Sequence, residues 1–252
     1  MNTPEAPPPR ANPALVERLA VANRILYDQG VVDGFGHVSV RHDASAEHFL
    51  LARNMAPALV APADILTFDL DGQALDADGR RVYLERFIHA GIYRVRHDVN
   101  AVVHSHSPSV IPFAATRTPL RPIYHMSGFL GTGSPIFEIR DVAGDTDLLI
   151  RDQALGGALA TALGPHSTVL MRGHGVTVVG ATLEQAVYRA VYAETNARLQ
   201  AQAIALGDVT YLNDREAAMA ATTNDTQLAR VWELWERRVT ATAQEPATRS
   251  AR

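Results

Sequence analysis

Three apolar residues, Ala101-Val102-Val103, run directly into His104-Ser105-His106, and this hexapeptide restricts the fold more than any other stretch of the chain. A short apolar, β-branched run reads as a buried strand, and in a strand residues two apart project to the same face. Two imidazoles therefore leave one face side by side, which is costly to bury without a shared partner. A divalent cation is such a partner. A third imidazole is a candidate at His174 in Arg172-Gly173-His174-Gly175, which follows a second apolar run, Thr168-Val169-Leu170-Met171. The flanking glycines allow a tight turn and close approach to a ligand. A carboxylate is a candidate at Glu85, upstream on an expected helix. Three neutral imidazoles and one carboxylate leave a divalent cation with net positive charge and with positions open to substrate. Taken singly, each residue also has an ordinary reading, a surface or hydrogen-bonded core histidine or a solvated helix carboxylate.

The chain is long enough, at 252 residues with 47% hydrophobic content, to bury a substantial core as one large α/β domain. Its net charge is −4 and no Lys/Arg-rich block stands out, so neither a nucleic-acid footprint nor a membrane-surface patch is expected. The absence of cysteine excludes disulfides, thiolate ligands and a cysteine nucleophile. The start of the chain lacks the charged and apolar pattern of a secretion signal, and no run is long enough to span a bilayer, so the expectation is a cytoplasmic protein.

Residues 1–12 and 241–252 are poor in packing side chains and are expected to be disordered or flexible flanks of a domain over 13–240. Asn12-Pro13 suits a helix start, with apolar spacing to Gly30 predicting a helix over 13–29. Alternation around Val38 and Val40 and the runs Phe49-Leu50-Leu51 and Ile65-Leu66-Thr67-Phe68 predict strands, with a turn at Asp71-Gly72. Helical spacing over 81–96 puts Glu85 and His89 one turn apart, with His89 a structural histidine rather than a ligand. Further helices are expected from Asp152 to Leu163, from a capping box at Thr182 and Gln185 to Leu206, and from Val231 to Val239, where Trp232 and Trp235 pack.

The order Gly34-Phe35-Gly36-His37-Val38-Ser39-Val40-Arg41, then Glu85, then Val102-Val103-His104-Ser105-His106-Ser107-Pro108, then Gly173-His174-Gly175 resembles the class II aldolase/adducin family over most of the chain. The resemblance implies an α/β fold of three layers, α-β-α, around a central mixed, largely antiparallel sheet. It implies one catalytic divalent metal ion per chain held by Glu85, His104, His106 and His174, and a homotetramer with active sites at subunit interfaces.

Sugar-phosphate members of that family hold the substrate phosphate with small hydrogen-bonding residues. Here the corresponding stretch is Leu50-Leu51-Ala52-Arg53-Asn54-Met55-Ala56-Pro57-Ala58-Leu59-Val60, Tyr83-Leu84 precedes Glu85 where serines are expected, and His37 replaces an asparagine. Loss of several such groups at once argues against a phosphate cradle. Together with Glu85-Arg86-Phe87-Ile88-His89 and Arg121-Pro122-Ile123-Tyr124-His125-Met126-Ser127-Gly128, these segments resemble the branch containing 3-hydroxy-2-methylpyridine-4,5-dicarboxylate 4-decarboxylase and dihydroxyphthalate decarboxylases. The expected activity is metal-dependent decarboxylation of a hydroxylated aromatic mono- or dicarboxylic acid, in aromatic compound catabolism. A ring hydroxyl and its neighbouring carboxylate chelate the ion, for which zinc, manganese, cobalt and magnesium are all candidates. The catalytic acid is sought at His125 first, then His37, then Tyr124. Arg53 is a candidate for a second substrate carboxylate and Ser107 for a further substrate contact. Two alternatives stand: a retro-aldol lyase on a non-phosphorylated substrate, since the same ion stabilises an enediolate, and a non-catalytic adducin-like binding and assembly module.

Overall fold

The structure, a computed structural model, describes residues 9–244. Its centre is a seven-stranded sheet formed by β1 (His37–Arg41), β2 (His48–Ala52), β3 (Ile65–Asp69), β4 (Ala101–Ser105), β5 (Ile136–Phe137), β6 (Thr168–Met171) and β7 (Gly175–Gly180). The strand order is β3-β2-β1-β4-β7-β6-β5, antiparallel throughout except for the parallel β5/β6 pair.

Period-two alternation sorts the side chains of these strands to two helical layers. Val38, Val40, Ala101, Val103, Val176 and Val178 face a core shared with α1 (Pro13–Asp28), α6 (Leu183–Leu206) and α8 (Leu228–Gln244). Phe49, Leu51, Val102, Val169 and Val179 face the opposite core, with Phe87, Ile88 and Tyr93 of α2 (Arg86–Val95) and Leu159 and Leu163 of α5 (Gln153–Leu163). The short helices α3 (Ile111–Ala115) and α4 (Arg140–Ala143), a 3-10 helix at His125–Leu130, and α7 (Asp214–Asp225) complete the order. This is the expected three-layer α/β arrangement with a mixed, mostly antiparallel sheet. Trp232 and Trp235 are buried in the α1/α6/α8 layer, as packing residues.

Helix ends follow local chemistry. Asn12 accepts from the Ala14 N–H at 2.9 Å ahead of Pro13, and Asp152 accepts from Leu155 N–H at 2.9 Å, each pairing an otherwise unpaired amide of the first turn. Thr182 accepts from Gln185 N–H, but the Gln185 side chain takes the Ala181 N–H at 2.7 Å, so the expected capping box is displaced by one residue.

Boundaries differ from expectation at the start of α2 and at both ends of α8, which begins at Leu228 rather than Val231. The helix anticipated over 81–96 begins only at Arg86. Tertiary bonds override helical spacing upstream: Asn54 N–H donates to Arg81 O at 2.8 Å and the Tyr83 hydroxyl to Met55 O at 2.5 Å. Glu85 thus stands at the head of α2 rather than within it. At the other end α8 continues to Gln244, into the expected tail, while Pro9 O accepts from His42 Nε2–H at 3.0 Å. The rest of the two expected flanks, residues 1–8 and 245–252, lies outside the described residues.

Candidate metal centre

The sheet register carries the first step of the site. His37 of β1 lies directly opposite His104 of β4, on the face that meets α2, and their ring centroids are 5.1 Å apart. His106 falls one residue beyond the end of β4 and still comes to the same side, its ring 5.3 Å from that of His104 and nearly perpendicular to it. His174 sits in the turn between β6 and β7. That turn needs both of its glycines: Gly173 has φ of +67°, and a Cβ on Gly175 would lie 2.1 Å from Ser105 O. The close approach of the Gly175 backbone to β4 brings His174 beside the His-x-His pair.

Glu85, at the head of α2, closes the group. Its Oε1 accepts from Ile150 N–H at 3.0 Å, and its Oε2 lies 3.4 Å from His174 Nε2 and 3.6 Å from His104 Nε2. His174 Nδ1–H donates to Leu148 O at 2.9 Å, which turns Nε2 inward, 3.1 Å from His106 Nε2. One ligand-type atom from each of Glu85, His104, His106 and His174 thus lies within 4.8 Å of every other. Both nitrogens of the fully buried His104 lack a hydrogen-bond partner, a cost that a bound cation removes. The donor set and the orphaned imidazole fit a divalent ion.

Electrostatics agree at Glu85, His104 and His106. Burial raises the Glu85 carboxyl, but the hydrogen bond to His174, the neighbouring imidazoles and the Ile150 amide outweigh it and hold the group down at about 2. His104 is driven far below the ordinary imidazole value by burial, and His106 is lowered by burial and by His174. For His174, burial is outweighed by Glu85 and the net shift is upward. An anionic carboxylate and neutral imidazoles are the states that bind metal.

Beside this group opens a cavity of about 390 Å³. Glu85, His104 and His106 form one end, Phe35, Met55, Leu84 and Leu149 supply apolar wall, and His37, Tyr83 and Asn54 add polar groups. No Ser, Thr, Lys or Arg lines it among the described residues. His37 and the residues behind it form a buried chain that sequence reasoning missed. His37 Nδ1 is 2.6 Å from His89 Nε2, His89 Nδ1 is 2.6 Å from Ser39 Oγ, and Ser39 Oγ is 2.8 Å from the Tyr93 hydroxyl. Burial, reinforced by His89, lowers His37 strongly, and burial takes His89 down to about 3.

The other sequence-derived candidates lie elsewhere in the chain. His125 lines a separate cavity of about 610 Å³ with Tyr188, Tyr192 and Leu234, and its carbonyl accepts from Asn224 at 2.7 Å. Tyr124 has a buried hydroxyl without a partner, and burial and Tyr192 push it upward. Of the three acid candidates, only His37 lines the cavity at the cluster. Arg53 gives its Nε–H to Asp64 at 2.6 Å and lies outside the cavity lining. The Ser107 hydroxyl donates to Glu194 of α6, the same carboxylate that accepts from Ser109 N–H, so it ties the end of β4 to that helix. The backbone groups of Leu148 and Ile150 were also missed, and no side-chain pattern could have announced them.

Residues 17–201 match the family model described as the class II aldolase and adducin N-terminal domain. The chain is 36% identical over 239 residues to the decarboxylase tropJ of Talaromyces stipitatus, covering 85% of this chain and 90% of that protein. It is 33% identical over 206 residues to a 3,4-dihydroxyphthalate decarboxylase of Arthrobacter keyseri, covering 76% of this chain and 79% of the relative. Among solved structures, an L-fuculose 1-phosphate aldolase from Glaciozyma antarctica superposes with a TM-score of 0.74 at 25% identity, over 92% of this chain and 94% of the other.

Proposed function

This chain belongs to the class II aldolase and adducin family, and we propose that it is a divalent-metal-dependent decarboxylase of a hydroxylated aromatic acid. The protein is a carbon–carbon lyase. Its relatives named as decarboxylases support loss of carbon dioxide as the reaction. The observation that carries the reading is the pairing of a four-residue ligand cluster with a cavity whose walls are largely apolar and lack the small hydroxyl side chains and cations of a phosphate site.

Glu85, His104, His106 and His174 would hold the ion, with histidine-rich ligation favouring zinc and a chelating acid favouring an expandable shell such as that of manganese. When bound, the cation supplies Lewis acidity to a chelated ring hydroxyl and carboxylate. Phe35, Met55, Leu84 and Leu149 offer apolar surface to the ring and keep water from it. Glu85, ionised at neutral pH, serves as a ligand rather than an acid. The ring carbon gains a proton as carbon dioxide leaves, and His37 takes the donor position, its Nδ1 engaged by His89 and its Nε2 left for the cavity. His125 and Tyr124 reach a site only if a second subunit carries them there, in keeping with the proposed homotetramer. Among the described residues no helix is long and apolar enough to cross a membrane, and a cytoplasmic catabolic role is part of the same proposal.

The test is a panel of ortho-hydroxylated aromatic mono- and dicarboxylic acids, carboxyl-labelled, incubated with protein and zinc, manganese, cobalt or magnesium. Labelled carbon dioxide supports the decarboxylase. Cleavage of a hydroxy-carbonyl compound to an aldehyde, with no carbon dioxide from any acid, assigns the retro-aldol activity instead. Absence of both activities and of bound metal leaves the adducin-like module.

A further inference from the structure

Behind the cavity, three side chains that do not line it, His89, Ser39 and Tyr93, continue from His37 in a single file of hydrogen bonds, and we propose that they act as positioning residues that fix the tautomer of His37. The proposal rests on the reading of His37 as the donor at the reacting ring. His37, Ser39 and His89 are at most 4% exposed and Tyr93 is fully buried, so no water competes for these bonds. The contacts are short, at 2.6, 2.6 and 2.8 Å from His37 to Tyr93.

Proton counting gives the file a direction. Each hydroxyl carries one hydrogen, and each neutral imidazole carries one. His89 is neutral, because burial holds it at about 3. Only two arrangements then satisfy all three contacts while also using the Ser39 hydrogen, which has no acceptor outside the file among the described residues. In one, Tyr93 donates to Ser39, Ser39 to His89 Nδ1, and His89 Nε2–H to His37 Nδ1, so that the His37 hydrogen resides on Nε2, toward the cavity. In the other every donor is reversed, His37 presents a bare nitrogen, and the Tyr93 hydrogen must find a different acceptor. Among the described residues the Tyr93 hydroxyl has Ser39 Oγ as its one hydrogen-bond partner, at 2.8 Å, and no other acceptor. The reversed order therefore strands a buried hydrogen, whose desolvation is costly. Nothing else is needed to choose the first order. His37 becomes an N–H donor aimed at the cavity, suited to an anionic group of an aromatic acid and unsuited to cations. His89 comes from α2 while His37 and Ser39 come from β1, so the packing of that helix on the sheet sets the chemistry of the pocket.

A neutron structure of the zinc-loaded, deuterium-exchanged protein reads the hydrogens directly. Deuterium on His37 Nε2 and His89 Nε2 is expected; deuterium on His37 Nδ1 overturns the proposal. This readout needs no substrate, so it stands or falls separately from the decarboxylase reading. In turnover, Ser39→Ala is expected to lower kcat about tenfold or more with KM within twofold, Ser39→Thr to restore most of it, and Tyr93→Phe to cost less, because Ser39 can still donate. Metal content and melting temperature, measured alongside, identify any variant whose loss is structural. A Ser39→Ala protein that folds, binds metal and keeps kcat within twofold overturns the relay.

Discussion

Acid should weaken this protein well before its carboxylates titrate, and His89 makes the effect measurable. Its folded-state pKa is about 3 against an ordinary 6.5. Because the folded value is depressed, the contribution to stability is complete above pH 6.5 and declines as pH falls toward 3, where the unfolded chain binds a proton that the fold excludes. At pH 5 the deficit from His89 alone is about 2 kcal/mol. For a chain of this size that corresponds to roughly 4–8 °C in Tm. His37 and His104 are lowered by burial too and act in the same sense, while His174, whose value is raised, opposes them in part. The assay is thermal unfolding of chelator-treated protein from pH 7.5 to 5, for the wild type and for His89→Gln, whose amide can replace both hydrogen bonds without titrating. The fall in Tm should be smaller in the variant by about 4–8 °C. Equal falls in both proteins would refute the buried neutral state of His89.

Metal content offers a second check: His104→Ala and His174→Ala should each lose most of the bound zinc measured by mass spectrometry, whereas His125→Ala should retain it. Gly175→Ala should lower Tm by about 6 °C or more, or prevent folding, since the new methyl meets Ser105 O at 2.1 Å and such overpacking costs about 2 kcal/mol or more; calorimetry decides. Trp232→Ala should cost about 3–5 kcal/mol in urea denaturation without changing metal affinity, because its ring is buried between α1 and α8, far in sequence from every cluster residue. Arg53→Met separates two substrate classes: if this guanidinium receives a second carboxylate, KM rises about tenfold for dicarboxylic acids and stays unchanged for monocarboxylic ones.

Legibility in the sequence followed the range of the interaction. Period two in Val38-Ser39-Val40 and in Val102-Val103-His104 exposed strands and faces, and Asn12-Pro13 and Asp152 marked helix starts, because those signals are local. The convergence of Glu85 with three histidines was readable only as a pattern of residues set far apart, and the sheet register between β1, β4 and β7 gives it a physical cause. What escaped were contacts between elements. The bond from His89 to His37 joins a helix to a strand across 52 positions, and the delayed start of α2 depends on Asn54 and Met55, some thirty positions upstream. Ser107 looked available because its partner Glu194 lies 87 positions away.

The segment Leu148-Leu149-Ile150 sends a carbonyl to His174 and an amide to Glu85, while its middle residue reaches the cavity wall. It belongs to no strand or helix, and Leu148 holds a φ of +70° that only surrounding structure can sustain. Acting as a brace, it sets two donors at working distance before any ion arrives, so that much of the ordering entropy of capture is met during folding. Demetallation should accordingly be a reversible event, with the empty frame ready to be refilled.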